Sequence, residues 1–163
     1  MVKAVFPGSF DPPTNGHLNL IKRGSELFDS LDVVISVNYQ KKYLLDAEER
    51  YALMKEMTRD IKNVKVTLWD RLIVEYAAEN SIGVILRGVR AIADFGYEFE
   101  LSMMNKQLSP HIETIFLPTD QKYFVLRSSS IKELVQLGAD VSSMIPGNVE
   151  EMLKKKLKDS IRS

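Results

Sequence analysis

At 163 residues the chain is long enough for one core that removes about two thirds of its unfolded surface from water, and its length calls for no second domain. Its 22 Lys and Arg balance 22 Asp and Glu, so no global field draws nucleic acid or an anionic membrane, and any cationic chemistry must be local. The absence of cysteine excludes disulfides, thiolate nucleophiles and Cys-ligated zinc, and with no run near membrane-spanning length and a start too short for a secretory leader, a soluble cytoplasmic protein is expected.

In chain order, Val2 to Phe6 is an apolar run that reads as a buried strand. Gly8-Ser9-Phe10-Asp11-Pro12-Pro13-Thr14-Asn15-Gly16-His17 then forms a turn into a helix over Leu18 to Phe28. Main-chain N–H groups and the macrodipole at such a helix entry favour a phosphate, and His17 stands at its mouth. Asp32 to Val37 is a second strand, followed by a polar loop bearing Lys41 and Lys42. Asp46 with Glu49 three residues later predicts a capped helix through about Arg59. Val64 to Leu68 is a third strand, and Leu72 to Glu79 a third helix with Leu72, Ile73, Tyr76 and Ala77 on one side. Ile82 to Leu86 is a fourth strand ending at Arg87, followed by a helix from Ala93 to Leu108 and a fifth strand, Glu113 to Leu117. Ser130 with Glu133 has capping-box spacing for a helix to Gly138, and Asn148 to Leu157 is a last helix whose basic end reads as solvated charge complementing its dipole. Phe95, Phe99, Met103 and Met104 read as packing of the fourth helix, and His111 as structural.

Five strands alternating with helices predict an α/β chain: one Rossmann-like, doubly wound domain over residues 1–163, with five parallel strands and helices on both faces. Ligands bind such sheets at the carboxyl ends of the strands, where strand order reverses. The Gly8–His17 turn, Lys41 and Lys42, Arg87 to Arg90, and Phe124 to Ser130 all follow strands there. His17, Lys41, Arg87, Arg90, Ser9 and the hydroxyls of Ser128, Ser129 and Ser130 are rich in donors and poor in bases, a set that suits polyphosphate. No P-loop, dinucleotide glycine motif or metal-spaced acidic cluster competes with that reading. A phosphate monoester nucleophile, with its second pKa of about 6, is already largely ionised near neutrality and needs no general base.

Thr14-Asn15-Gly16-His17 resembles the T/H-x-G-H tetrapeptide of the nucleotidylyltransferases. Arg87-Gly88-Val89-Arg90-Ala91-Ile92-Ala93-Asp94-Phe95 with Tyr97-Glu98, and Ser128-Ser129-Ser130 with Lys132-Glu133, narrow the resemblance to the phosphopantetheine adenylyltransferases over Val2 to about Leu157. The resemblance implies in-line attack by the 4′-phosphopantetheine phosphate on the α-phosphorus of ATP, giving dephospho-coenzyme A and pyrophosphate without a covalent intermediate. It implies catalytic roles for His17, Lys41 and Arg90, with Ser9 and Phe10 on the phosphates and Ser9, Lys41, Arg87 and Ile73 on the acceptor. Gly88, Val89, Arg90 and Glu98 would hold the nucleotide, under a cover of Phe124, Val125, Leu126, Arg127, Ser128, Ser129 and Ser130. Mg2+ carried mainly by ATP phosphates, coenzyme A as a feedback ligand, a homohexamer, and no nucleic acid or membrane partner are implied too. Arg127, Gly96 and Pro13 depart from the usual residues of that family. Two alternatives stay open: a nucleotidylyltransferase for another phosphorylated acceptor such as nicotinate mononucleotide, and a non-catalytic nucleotide- or coenzyme A-binding module.

Overall fold

The computed structural model describes residues 1–162, with side chains through Lys158. The strands are β1 (Lys3–Gly8), β2 (Ser30–Ser36), β3 (Val64–Trp69), β4 (Val84–Val89) and β5 (Glu113–Pro118). The helices are α1 (Asn15–Leu27), α2 (Ala47–Thr58), α3 (Ile73–Glu79), α4 (Ile92–Leu108), α5 (Ser128–Gln136) and α6 (Gly147–Arg162), and a 3-10 turn at Gln121–Tyr123 precedes α5. All strand pairings are parallel, in the order β3-β2-β1-β4-β5. The chain winds outward in both directions from β1, so the order reverses between β1 and β4.

Alternation along β1 sorts the core. Ala4 and Phe6 join Leu20 and Ile21 of α1 and Met54 of α2 on one face, while Val5 joins Val74, Tyr76 and Ala77 of α3 on the other. A third cluster forms beyond the sheet, where Leu45 and Leu53 meet Ile131 and Val135 of α5 and Val149 and Leu153 of α6. Among the described residues no helix is long and apolar enough to cross a membrane.

Asp46 caps α2 as expected, accepting from the N–H of Glu49 at 2.9 Å while the Glu49 carboxylate accepts from the N–H of Asp46 at 2.9 Å. Other boundaries move. β4 runs on to Val89 because Arg87, Gly88 and Val89 pair with Phe116, Leu117 and Pro118 of β5, so these residues lie inside the strand rather than after it. α1 begins at Asn15, three residues before Leu18, since Thr14 provides the cap. The Ser130–Glu133 capping box does not form: α5 opens at Ser128 behind Arg127, with no side-chain cap bond.

The reading of α4 as packed by its apolar residues is corrected. Phe95 is 41 % exposed, Phe99 48 %, Met103 57 % and Met104 51 %. α4 packs on β4 and β5, and among the described residues it buries none of its own side chains fully. Only Phe95 finds a ring in the sheet, meeting Phe116 edge-on at 5.1 Å.

Candidate active site

The ladder between β1 and β4 includes only Ala4 with Val84 and Val5 with Ile85. Past that point the strand ends frame a cavity of about 510 Å³, within the usual range for small-molecule sites of about 300 to 1,000 Å³. Ser9, Phe10 and His17 line it from the first turn, Arg87, Gly88 and Arg90 from β4 and its end, Glu98 from α4, and Leu126, Arg127, Ser128 and Ser129 from the entry to α5.

The turn is built tightly. Phe10 has φ +50°, a left-handed conformation costing a non-glycine residue about 1 kcal/mol or more, and the Asp11–Pro12 peptide is cis. The Phe10 ring is 3 % exposed, edge-on to His17 at 5.0 Å and to Phe6 at 5.7 Å. Gly8 makes room for it: a Cβ there would lie 2.8 Å from the ring. Replacing Gly8 by Ala should therefore push Phe10 against His17 and shift the imidazole, readable in the proton NMR resonances of the His17 ring; unshifted resonances in the Ala variant would show that the ring does not hold the imidazole.

His17 is both a cap and a cavity residue. It is the third residue of α1; its N–H donates to Thr14 Oγ1 at 3.2 Å, and its Nδ1 accepts the Thr14 main-chain N–H at 3.0 Å. An Nδ1 that accepts an N–H carries no proton, so the ring proton is on Nε2. Burial first, then the positive charges of Arg90 and Arg87, push the imidazole pKa down to about 4. At neutral pH His17 is thus an uncharged Nε2–H donor whose basic nitrogen is already engaged.

The cations have partners. Arg87 is forked onto Glu98, Nε at 2.5 Å and Nη2 at 2.6 Å, and its Nη1 donates to the Pro7 carbonyl at 2.8 Å across the opened β1–β4 seam. An anion reaching Arg87 must share or displace the Glu98 carboxylate. Arg90 pairs with Asp94 at 3.1 Å and donates from Nη1 to the Leu126 carbonyl at 2.9 Å, tying the end of β4 to the segment that delivers the serines. Ser128 Oγ donates to the Pro12 carbonyl at 2.9 Å, docking the start of α5 on the first turn. Among the described residues no group of three or more His, Cys, Asp or Glu is gathered as a metal cage.

Several expected site residues lie elsewhere. Lys42 lines the cavity, whereas Lys41 is exposed on a turn closed by its own N–H to the Asn38 carbonyl at 3.0 Å. Ile73 packs against the core cluster beside Val74 and is not part of the cavity wall. Ser130 falls outside the wall because α5 already starts at Ser128, and about 100° of helical rotation per residue turns the third serine away. Phe124 and Val125 are exposed, whereas Leu126 lines the cavity as expected and Tyr123 joins it. Val89 and Phe124 instead border an adjoining apolar groove with Pro118 and Phe95, and Arg90 is in the wall of both.

Two buried charges were not singled out in the sequence. Asp11, 7 % exposed, accepts from the N–H groups of Leu44 and Leu45 at 3.0 and 2.9 Å and from Lys132 Nζ at 3.1 Å. Arg50, 1 % exposed, lies beneath the turn. Arg50 follows Glu48 and Glu49 in an acidic stretch that reads as helix surface, and only Asp11's place inside the motif hinted at a task.

The family described as cytidylyltransferase-like matches residues 5–134. A phosphopantetheine adenylyltransferase of Caldanaerobacter subterraneus subsp. tengcongensis is 47 % identical over 96 % of this chain and 98 % of its own length. One from Vesicomyosocius okutanii is 46 % identical over 94 % and 98 %. A solved structure from Vibrio parahaemolyticus, given the provisional name nicotinate-nucleotide adenylyltransferase, matches with a TM-score of 0.69 at 22 % identity, over 96 % of this chain and 95 % of its own, a likeness of fold alone. With cavity, fold and near full-length identity in agreement, this chain belongs to the phosphopantetheine adenylyltransferases of the cytidylyltransferase-like family.

Proposed function

We propose that the protein transfers the adenylyl group of ATP to 4′-phosphopantetheine, releasing pyrophosphate and dephospho-coenzyme A. The observation that carries this reading is a neutral imidazole donor held beside two guanidinium groups and an uncapped helix N-terminus in one cavity. An oxygen of the acceptor phosphate forms a bond to the α-phosphorus while the bond from that phosphorus to the β-bridging oxygen breaks, and the electron pair leaves with pyrophosphate. With Nδ1 occupied, His17 is not a base for this step; its Nε2–H stabilises charge developing on the α-phosphoryl oxygens. The nucleophile is ionised already, so positioning and charge stabilisation carry the chemistry.

Ser9 and the main chain at Phe10 are assigned to the phosphates, with Ser128 and Ser129 at the α5 N-terminus on the far end of the triphosphate. Gly88, Arg90 and Glu98 bound the nucleotide in the cavity, and the apolar groove at Val89 and Phe124 suits the base. Mg2+ fits as a companion of ATP: Asp11 and Glu98, carboxylates of the cavity wall, are engaged by protein donors, so the ion would be held by phosphate oxygens and water. The uncovered apolar face of α4 supports self-association, and the family resemblance makes a hexamer the expected state, readable by light scattering.

Arg87 and the lysine loop are assigned to the acceptor phosphate. Replacing Lys42 by Ala should raise the KM for the acceptor by about tenfold or more while the KM for ATP stays within about threefold, and Lys41→Ala, beside it but off the wall, should raise it less. A loss confined to ATP would move the loop to the nucleotide side. The reaction is tested by incubating the protein with MgATP and phosphopantetheine, nicotinate mononucleotide or glycerol 3-phosphate and following pyrophosphate and product mass. Dephospho-coenzyme A from the first alone is expected; turnover with another acceptor alone, or with none, would overturn the reading.

A further inference from the structure

Arg50 is a charged side chain that the core should reject. It is 1 % exposed, and among the described residues no carboxylate lies within ion-pair distance of it. Its Nη1 donates to main-chain carbonyls on two other segments, Ser9 at 2.7 Å and Ser36 at 2.9 Å, while its Nε donates to Asp46, the N-cap of its own helix, at 3.3 Å. The guanidinium plane lies 4.0 Å from the centre of the Tyr43 ring, itself part of the cavity wall. Burying a cation costs several kcal/mol that an apolar residue of similar volume would not, so packing alone does not account for an arginine here. Its rigid fork reaches three carbonyls at once, which an apolar side chain cannot do.

What those segments carry gives the arrangement its meaning. Ser9 belongs to the turn assigned to ATP, whereas Ser36 and Asp46 bracket the loop with Lys41, Lys42 and Tyr43, assigned to the acceptor. Asp11, two residues after Ser9, makes the second bridge between the same segments through the N–H groups of Leu44 and Leu45, and through Lys132 reaches α5. Two buried charges thus join turn and loop, Arg50 through the Ser9 and Ser36 carbonyls and Asp11 through the Leu44 and Leu45 N–H groups.

We propose that Arg50 and Asp11 are a positioning pair that fixes the ATP turn and the acceptor loop as one body, setting the line of attack between the two substrates rather than the affinity for either. The proposal rests on the adenylyl-transfer reading above. Because misalignment by about 1 Å costs about 100-fold, Arg50→Met should lower kcat by about that factor with both KM values within about threefold, and Arg50→Lys, keeping charge but not the fork, by about tenfold. Asp11→Asn should show the same pattern, and decides alone should the Arg50 variants not fold. Folded variants with kcat within roughly twofold of the unaltered chain, or a loss carried entirely by one KM, would overturn the pairing. Amide exchange at Leu44 and Leu45 supplies a readout independent of turnover. ATP should slow their exchange in the unaltered chain and not in Arg50→Lys or Asp11→Asn; equal slowing in all three sinks the proposal. A chain that binds ATP but transfers no adenylyl group would refute the reaction and leave this exchange test in force.

Discussion

Replacing His17 by Ala is expected to lower kcat by about two to three decades with little change in ATP affinity, the size seen when one preorganised donor to a developing charge is lost. Steady-state kinetics with both substrates varied would show it, and unchanged kcat would remove the imidazole from the chemistry. The pH behaviour follows from the same geometry. With the pKa at about 4, His17 stays neutral from well below neutrality upward, so kcat/KM should show no inflection from it between about pH 5.5 and 8. Stability moves with a definite sign. The unfolded imidazole titrates near about 6.5, above the folded value, so the unfolded chain binds more protons as pH falls from about 6.5 to about 4, and the fold loses stability across that window. The His17 variant should lack this part of the acid limb in urea titrations.

Replacing Arg90 by Ala is expected to lower kcat about 100-fold and to raise the KM for ATP, because one side chain does two jobs. It adds positive charge beside His17, and its bond to the Leu126 carbonyl holds the segment that leads to Ser128 and Ser129. Charge-assisted bonds of this kind are worth about 1.5 to 3 kcal/mol, enough for that loss when two functions fail together. A second measurement separates them. Arg90 is the larger of the two cationic influences on His17, behind burial, so its removal should raise the imidazole pKa above about 4 while leaving it below its ordinary value. Proton NMR of His17 in the Arg90→Ala protein reads this directly, and a fixed pKa would show that the guanidinium field does not reach the ring.

The strand pattern was legible because it is local. Each apolar run from Lys3 to Leu117 became a strand, and the alternation of Ala4, Val5 and Phe6 sorted two core faces. The Asp46–Glu49 cap formed for the same reason, since both partners lie within one helical turn. The T-x-G-H turn, Arg87 and Arg90 came together because parallel winding delivers strand ends to one rim. What failed depended on distant neighbours. Phe95, Phe99, Met103 and Met104 look like core residues in any window, yet α4 packs on β4 and β5 without burying any of them fully. The cap of α5 moved by three residues, from Ser130 to Arg127, and the Ser128 hydroxyl is spent on the Pro12 carbonyl from the other end of the chain.

By itself, then, the sequence determined the parallel α/β architecture, the strand-to-helix turn after β1 and the cationic character of its rim, all consequences of periodicity, turn chemistry and residue type. Only the tertiary structure decided the protonation state of His17, the choice of Lys42 over Lys41 for the cavity wall, the exposure of α4 and the burial of Arg50 and Asp11. The first and last of these are set by groups far away in the chain: two arginines around an imidazole, and the Ser9 and Ser36 carbonyls, which meet one guanidinium only when the sheet and its loops have closed.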